Sequence, residues 1–134
     1  MALMAHLKFG SNVFERYEKD YLLLSVKCKL SRDYNGIRPS TSFHRIVFTV
    51  DAIVPDSGDL GLYGWYIDEE CRTGCIVMEE QSIKNDVSRR IVKFEDARCC
   101  GFSERFDITQ KWRRQMRIQF SATQVEVEGM TVTC

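Results

Sequence analysis

The chain has 134 residues, and its 19 lysines and arginines are matched by 19 aspartates and glutamates. That is the length of one domain, and we read residues 1–134 as a single unit with one core. Zero formal charge argues against general nucleic-acid binding, which needs a positive field to displace counterions, and it leaves little repulsion to keep copies apart. No apolar run approaches the roughly 20 residues of a membrane helix. "MALMAHLKFG" lacks the long apolar core of a secretory signal. The expectation is folding in the cytoplasm with no membrane insertion.

In chain order, most segments read as strands. "AHLKF" is a short first strand, ended by Gly10-Ser11-Asn12. "YLLLSVKCKL" is apolar and β-branched enough for a strand buried on at least one face. "CKLSRDYNGIRPSTSF", Cys28 to Phe43, then reads as a long loop, turned by Asp33, Asn35 and Gly36 and stiffened by Pro39. In "FHRIVFTVDAIV", Ile46, Phe48, Val50 and Ala52 share one face while Arg45, Thr49 and Asp51 share the other, the period of a half-buried strand.

"PDSGDLGLYGWYIDEE" places Leu60, Tyr63 and Ile67 at helical spacing, with Asp56, Ser57 or Asp59 as N-cap candidates. Gly61 and Gly64 each weaken a helix by about 1 kcal/mol relative to alanine. This helix is therefore short and held by its aromatic residues against a sheet. "GCIVMEEQ" is a further strand. "RRIVKFEDARCCGF" puts Val92 and Phe94 on one side, and its alternation slips at Asp96-Ala97, which predicts a β-bulge. "QKWRRQ" reads as an exposed turn anchored by Trp112. "RQMRIQFSATQVEVEGMTV" reads as one long strand, with Met116, Ile118, Phe120 and Ala122 inward and Arg117, Gln119, Ser121 and Thr123 outward. The sum is a mainly β protein: a compact antiparallel sandwich or barrel with one short flanking helix.

The motifs point away from catalysis. His6 sits near the terminus and His44 at the start of a strand, where a structural histidine is the ordinary case. No nucleophile elbow, phosphate loop or zinc-protease helix is present. Glu69-Glu70, Glu79-Glu80 and Glu95-Asp96 are adjacent pairs, which on a strand point to opposite faces. Six cysteines (Cys28, Cys71, Cys75, Cys99, Cys100 and Cys134) lack the spacing of a zinc site. They read as small, mostly buried apolar residues. Three readings stand on the residues alone: a self-assembling β module whose edges pair with further copies, a small-molecule-binding β-barrel with Tyr63, Trp65 and Tyr66 around a pocket, and an enzyme using one activated thiol.

A longer pattern favours the first. "LKFG" (Leu7–Gly10), "CKLSRD" (Cys28–Asp33), Gly36 and "RPS" (Arg38–Ser40) precede an alternating strand. "VKFEDARCCGFSERFDIT" and "MRIQFSATQVEV" follow in order. This arrangement resembles the Hcp (TssD) tube proteins of type VI secretion systems, in particular the Bacteroidota form, and covers nearly the whole chain. The resemblance implies a compact β-barrel with one flanking helix, related in architecture to phage tail tubes. It implies no enzymatic activity and no cofactor. It further implies homohexameric rings that stack into a hollow tube, expelled by a contractile sheath with a spike and with effectors in its lumen. Such a protein assembles in the cytoplasm and is then secreted to the extracellular space or a target cell. In that family the segment after the second strand meets neighbouring subunits. The expected contact residues are therefore Arg32, Asp33, Tyr34, Asn35, Gly36, Ile37, Arg38 and Pro39, with Arg32 and Arg38 available to acidic groups of a neighbour.

Overall fold

The computed structural model describes residues 2–35, 38–54, 58–81, 87–106 and 114–133; their side chains are described over 4–31, 45–54, 58–80, 88–105 and 114–133. Among the described residues, eight strands and one helix run in the order β1 (Ala2–Ser11), β2 (Arg16–Asn35), β3 (Arg38–Ile53), α1 (Gly61–Ile67), β4 (Arg72–Gln81), β5 (Val87–Phe106), β6 (Arg114–Ser121), β7 (Gln124–Val127) and β8 (Met130–Thr133). Every pairing is antiparallel. The order β4-β1-β2-β3-β6-β5 closes on itself because β4 also pairs with β5. Closure removes the open edges that an isolated sheet must protect.

The interior follows from period-two alternation. Ile46, Phe48, Val50 and Ala52 of β3, and Met116, Ile118 and Phe120 of β6, are fully buried, as is Ala122 just beyond β6. Phe48 stacks on Phe120 with centroids 4.9 Å apart, and Phe94 meets Phe120 at 5.0 Å. Each such ring contributes about 1.5–3 kcal/mol through burial. The expected bulge is present. Arg72 pairs with Ala97 but Gly74 pairs with Phe94, so two β5 residues oppose Thr73. Asp96 takes up the extra length with φ of 47°, in the left-handed region that Asp tolerates better than most residues.

Other expectations are corrected. The long loop is instead a β-hairpin: β2 continues to Asn35 and β3 begins at Arg38, with Tyr34 opposite Pro39 and Asn35 opposite Arg38. Pro39 misled because a proline demotes a segment from a central strand yet is tolerated where one edge has no partner. The single C-terminal strand is three. β6 and β7 both run along β5, Ser121 opposite Arg98 and Gln124 opposite Glu95, with a break at Ala122-Thr123. The chain then reverses at Glu128-Gly129, with φ of 50° and 84°, as a two-residue hairpin turn requires. Glutamate at its first position hid that turn.

The helix exists, but on a different face. Leu62 and Trp65 are its buried residues, whereas Leu60 and Ile67 are 62% and 69% exposed. Leu60 is the capping position and carries no side-chain cap. Asp59 still helps, its Oδ1 accepting a bond from the Gly61 amide at 2.9 Å; Asp56 and Ser57 lie outside the described residues. Trp65 enters the core beside Phe9 and Phe120, each 5.0 Å away. Its Nε1 donates to the Ala97 carbonyl at 3.1 Å. That bond ties α1 to the far side of the β5 bulge and satisfies the indole in an otherwise apolar setting.

Candidate functional site

The hairpin leaves the barrel for a topological reason. β3 pairs with β6 only over Val47–Ile53. Beyond that point β8 holds beside β7 the place that β3 holds beside β6. β2 likewise pairs with β1 only as far as Leu23. From there, among the described residues, the two strands pair only with each other, and their outer edges have no further strand beside them. Of the expected contact residues, the backbones of Arg32, Asp33, Tyr34 and Asn35 lie at the end of β2, and those of Arg38 and Pro39 open β3. Gly36 and Ile37 lie outside the described residues, as do the side chains of residues 32–44.

The hairpin continues an outward sheet face made by β2, β3, β6 and β5. Cross-strand register sets this face in rows: Ser25, Asp51, Arg117 and Ser103, then Lys27, Thr49, Gln119 and Gly101, then Lys29, Val47, Ser121 and Arg98. The first row is held by a charge-assisted fork. Arg117 donates from Nε to Asp51 Oδ1 at 2.9 Å and from Nη2 to Oδ2 at 3.3 Å, while the Ser25 hydroxyl donates to Oδ2 at 2.6 Å. Arg117 and then Ser25 hold the Asp51 carboxyl below the ordinary range, against a smaller opposing effect of burial. The same pair raises the Arg117 guanidinium.

Two buried polar clusters brace the barrel, and neither was visible in the sequence pattern. Arg114, expected in an exposed turn, opens β6 and pairs with Glu104 across β5, Nε to Oε1 at 2.6 Å, with side chains only 7% and 14% exposed. Its Nη2 also donates to the Asp59 carbonyl at 3.2 Å, which anchors the entry to α1. Lys111, Trp112 and Arg113 lie outside the described residues. At the opposite corner Asn12 is buried. Its Nδ2 donates to the carbonyls of Gly74 and Phe94 at 2.9 and 3.1 Å, and its Oδ1 accepts from the Tyr17 hydroxyl at 2.7 Å. The β1–β2 turn is thereby stapled to β4 and β5. Asn12 followed by exposed Val13 and Phe14 looks like an ordinary turn in sequence.

The remaining candidates separate. Cys75 is buried and Cys99 half-buried, but Cys28, Cys71 and Cys100 are exposed, so the reading of mostly buried cysteines is corrected; Cys134 lies outside the described residues. Cys28 stands opposite the inward Phe48 but on a part of β2 that has already left β1, and Cys100 is the extra residue where the β5–β6 register shifts between Cys99 and Gly101. Burial pushes the Cys99 thiol up to about 11. No group of three or more His, Cys, Asp or Glu with metal-binding geometry occurs among the described residues. His6 is mid-strand in β1 and bonds Asp20 at 2.8 Å; the side chain of His44 lies outside the described residues. Tyr63 and Tyr66 pack on Phe102 at 4.5 and 6.3 Å while Trp65 fills the core. The two tyrosines thus pack on β5 while the tryptophan packs on Phe9 and Phe120. A groove of about 460 Å³ lies elsewhere, lined by Met4, Leu24, Val26, Met78 and Arg90 among others.

The comparisons with known proteins decide the family. The profile described as hemolysin coregulated protein Hcp (TssD) matches residues 1–133. The chain belongs to the Hcp (TssD) family. Hcp proteins are structural, non-enzymatic tube proteins of type VI secretion and related contractile injection systems, and they are secreted. No helix among the described residues is long and apolar enough to cross a membrane. The fold is similar to Hcp1 from Flavobacterium johnsoniae, with a TM-score of 0.66 and 16% identity over 98% of this chain and 99% of that one. Hcp1 from Salmonella typhimurium gives 0.67 and 15% over 99% and 93%. A chain of the PVC sheath-tube complex, an extracellular contractile injection system in its extended state, gives 0.54 and 15% over 98% and 88%. No curated protein sequence matches the chain.

Proposed function

We propose that this Hcp protein is the subunit of a homohexameric ring, that rings stack into the inner tube of a type VI secretion system, and that the tube carries effectors in its lumen. The observation that carries this reading is the membership of residues 1–133 in the Hcp family. The closed barrel with a hairpin extending beyond it supports the same reading. A barrel closed on itself has few edges left to pair, and the hairpin supplies the largest of them. A head-to-tail contact from this hairpin to the next subunit is heterologous, and such contacts close into a ring when the rotation fits. Arg32, Asp33, Tyr34, Asn35, Gly36, Ile37, Arg38 and Pro39 are the proposed contact residues. The outward rows of β2, β3, β6 and β5 are proposed to face the lumen, which needs a polar surface that lets cargo slide. Sheath, spike and effector proteins are the proposed partners, met after assembly in the cytoplasm and during export.

Native mass spectrometry and negative-stain micrographs of the purified protein test this directly. Six-subunit rings and short stacks are the expected species. A strict monomer at every concentration up to the solubility limit overturns it.

A further inference from the structure

The neutral total charge hides a strong segregation. Because Ile46, Phe48, Val50 and Ala52 point into the barrel, alternation turns Arg45 and Asp51 outward on β3. Register then brings Lys27 and Lys29 of β2, Arg117 of β6, and Arg98 and Arg105 of β5 to the same face. Among the described residues, Lys27, Lys29, Arg98, Arg105 and Arg117 share the four-strand rows with a single carboxylate, Asp51, while Arg45 on β3 and Asp96 on β5 both stand just beyond the last of these rows. The balancing acids lie elsewhere, with Asp68, Glu69 and Glu70 exposed after α1 and Glu18 and Asp20 exposed at the start of β2. Strands lie about 4.8 Å apart, so this is one continuous field rather than scattered surface charges.

We infer that this face recognises acidic polypeptide, so that the tube selects cargo bearing a carboxylate-rich surface or tail. The inference rests on the proposal that these rows face the lumen. Ring symmetry would then place six copies of the field around one channel, where a low-dielectric wall focuses it. Guanidinium groups pair with carboxylates through two parallel hydrogen bonds, and the Arg117–Asp51 fork shows that geometry within the face itself. The hydroxyls and amide between the cations, Ser103, Ser121, Thr49 and Gln119, add neutral hydrogen-bonding capacity without apolar grip. Single-stranded nucleic acid is the weaker match. The outward positions of these rows carry no aromatic side chain among the described residues, and hence no platform on which bases stack.

Fluorescein-labelled poly-L-glutamate tests this by anisotropy, with labelled oligothymidine as the competing probe and native mass spectra of the same samples reporting rings. Polyglutamate is expected to bind at low salt and to be released as salt rises. The variant Lys27→Gln/Lys29→Gln/Arg105→Gln should bind it at least about tenfold more weakly, since each charge-assisted bond lost weakens binding. Arg16→Gln/Lys19→Gln/Lys8→Gln, which removes as many cations outside these rows, should bind as the parent does. Equal losses in the two variants, or none in the first, overturn the inference. Oligothymidine binding as tightly as polyglutamate overturns the choice of partner. If no rings form but polyglutamate still follows the expected pattern, the acidic preference of the face stands and the lumen assignment falls.

Discussion

Arg114 and Glu104 face each other across β6 and β5 at 2.6 Å with almost no solvent around either side chain. Along β6 the next inward residues, Met116, Ile118 and Phe120, are apolar and fully buried. Removing one partner strands a charge in that setting. Arg114→Leu should therefore cost about 3–5 kcal/mol, the usual penalty for breaking a buried pair from one side. The double variant Arg114→Met/Glu104→Leu should recover most of the loss. Urea unfolding of the three proteins measures both.

Trp65 joins the helix to the barrel by packing and by one bond. Trp65→Ala removes the largest fully buried side chain among the described residues and the donor to Ala97, and should destabilise by about 3–5 kcal/mol. Trp65→Phe keeps much of the packing and should cost less. Thermal unfolding followed by circular dichroism ranks the two.

Asn12→Ala leaves the Gly74 and Phe94 carbonyls and the Tyr17 hydroxyl without their partner. A loss of about 1–3 kcal/mol is expected from unsatisfied buried groups. Amide hydrogen exchange should localise the effect to the β1–β2 turn and the adjoining parts of β4 and β5.

The pH dependence of Asp51 has a definite sign. Its folded-state pKa is depressed by Arg117 and Ser25. Its contribution to stability is thus present above the unfolded value of about 3.9 and is lost as pH falls through the lower folded value. Asp51→Asn should be less stable than the parent near neutrality. The gap should narrow below about pH 4, where the unfolded carboxyl takes up its proton first. Denaturant midpoints from pH 7 to pH 2.5 check this, and a constant gap contradicts it.

Arg32→Ala/Arg38→Ala should leave the barrel folded, because both lie in the hairpin beyond the strands that close it. Tube formation should weaken. Unchanged melting with fewer stacked rings in micrographs is the expected pair of results. Unaltered tubes speak against these residues as the contact.

Much of the fold was legible because it is local. Steric alternation alone assigned the inward faces of β3 and β6, and the slip at Asp96-Ala97 marked the bulge before any partner strand was known. A glycine-weakened aromatic segment correctly announced a short packed helix. Its buried face did not follow from spacing, since Leu62 and Trp65 are chosen by the barrel opening they fill and not by the periodicity of Leu60, Tyr63 and Ile67. Arg114 and Asn12 were invisible for a related reason. A polar residue is buried only where partners from other strands converge on it: Glu104 reaches Arg114 from the neighbouring strand, and Gly74 reaches Asn12 from far along the chain.

By itself, then, the sequence determined the strand-rich class, the inward residues of β3, β6 and the Val92–Phe94 part of β5, and the family pattern, all of which depend on neighbours along the chain. Only the tertiary structure decided which strands lie side by side. Closure of β4 on β5 and the displacement of β3 by β8 beside β7 turned an apparent loop into an extended hairpin. The same register gathered lysines and arginines from Lys27 to Arg117 onto one face of a chain whose charges sum to zero. Alternation fixes the side of a strand on which a charge stands, while pairing between distant segments fixes what stands beside it.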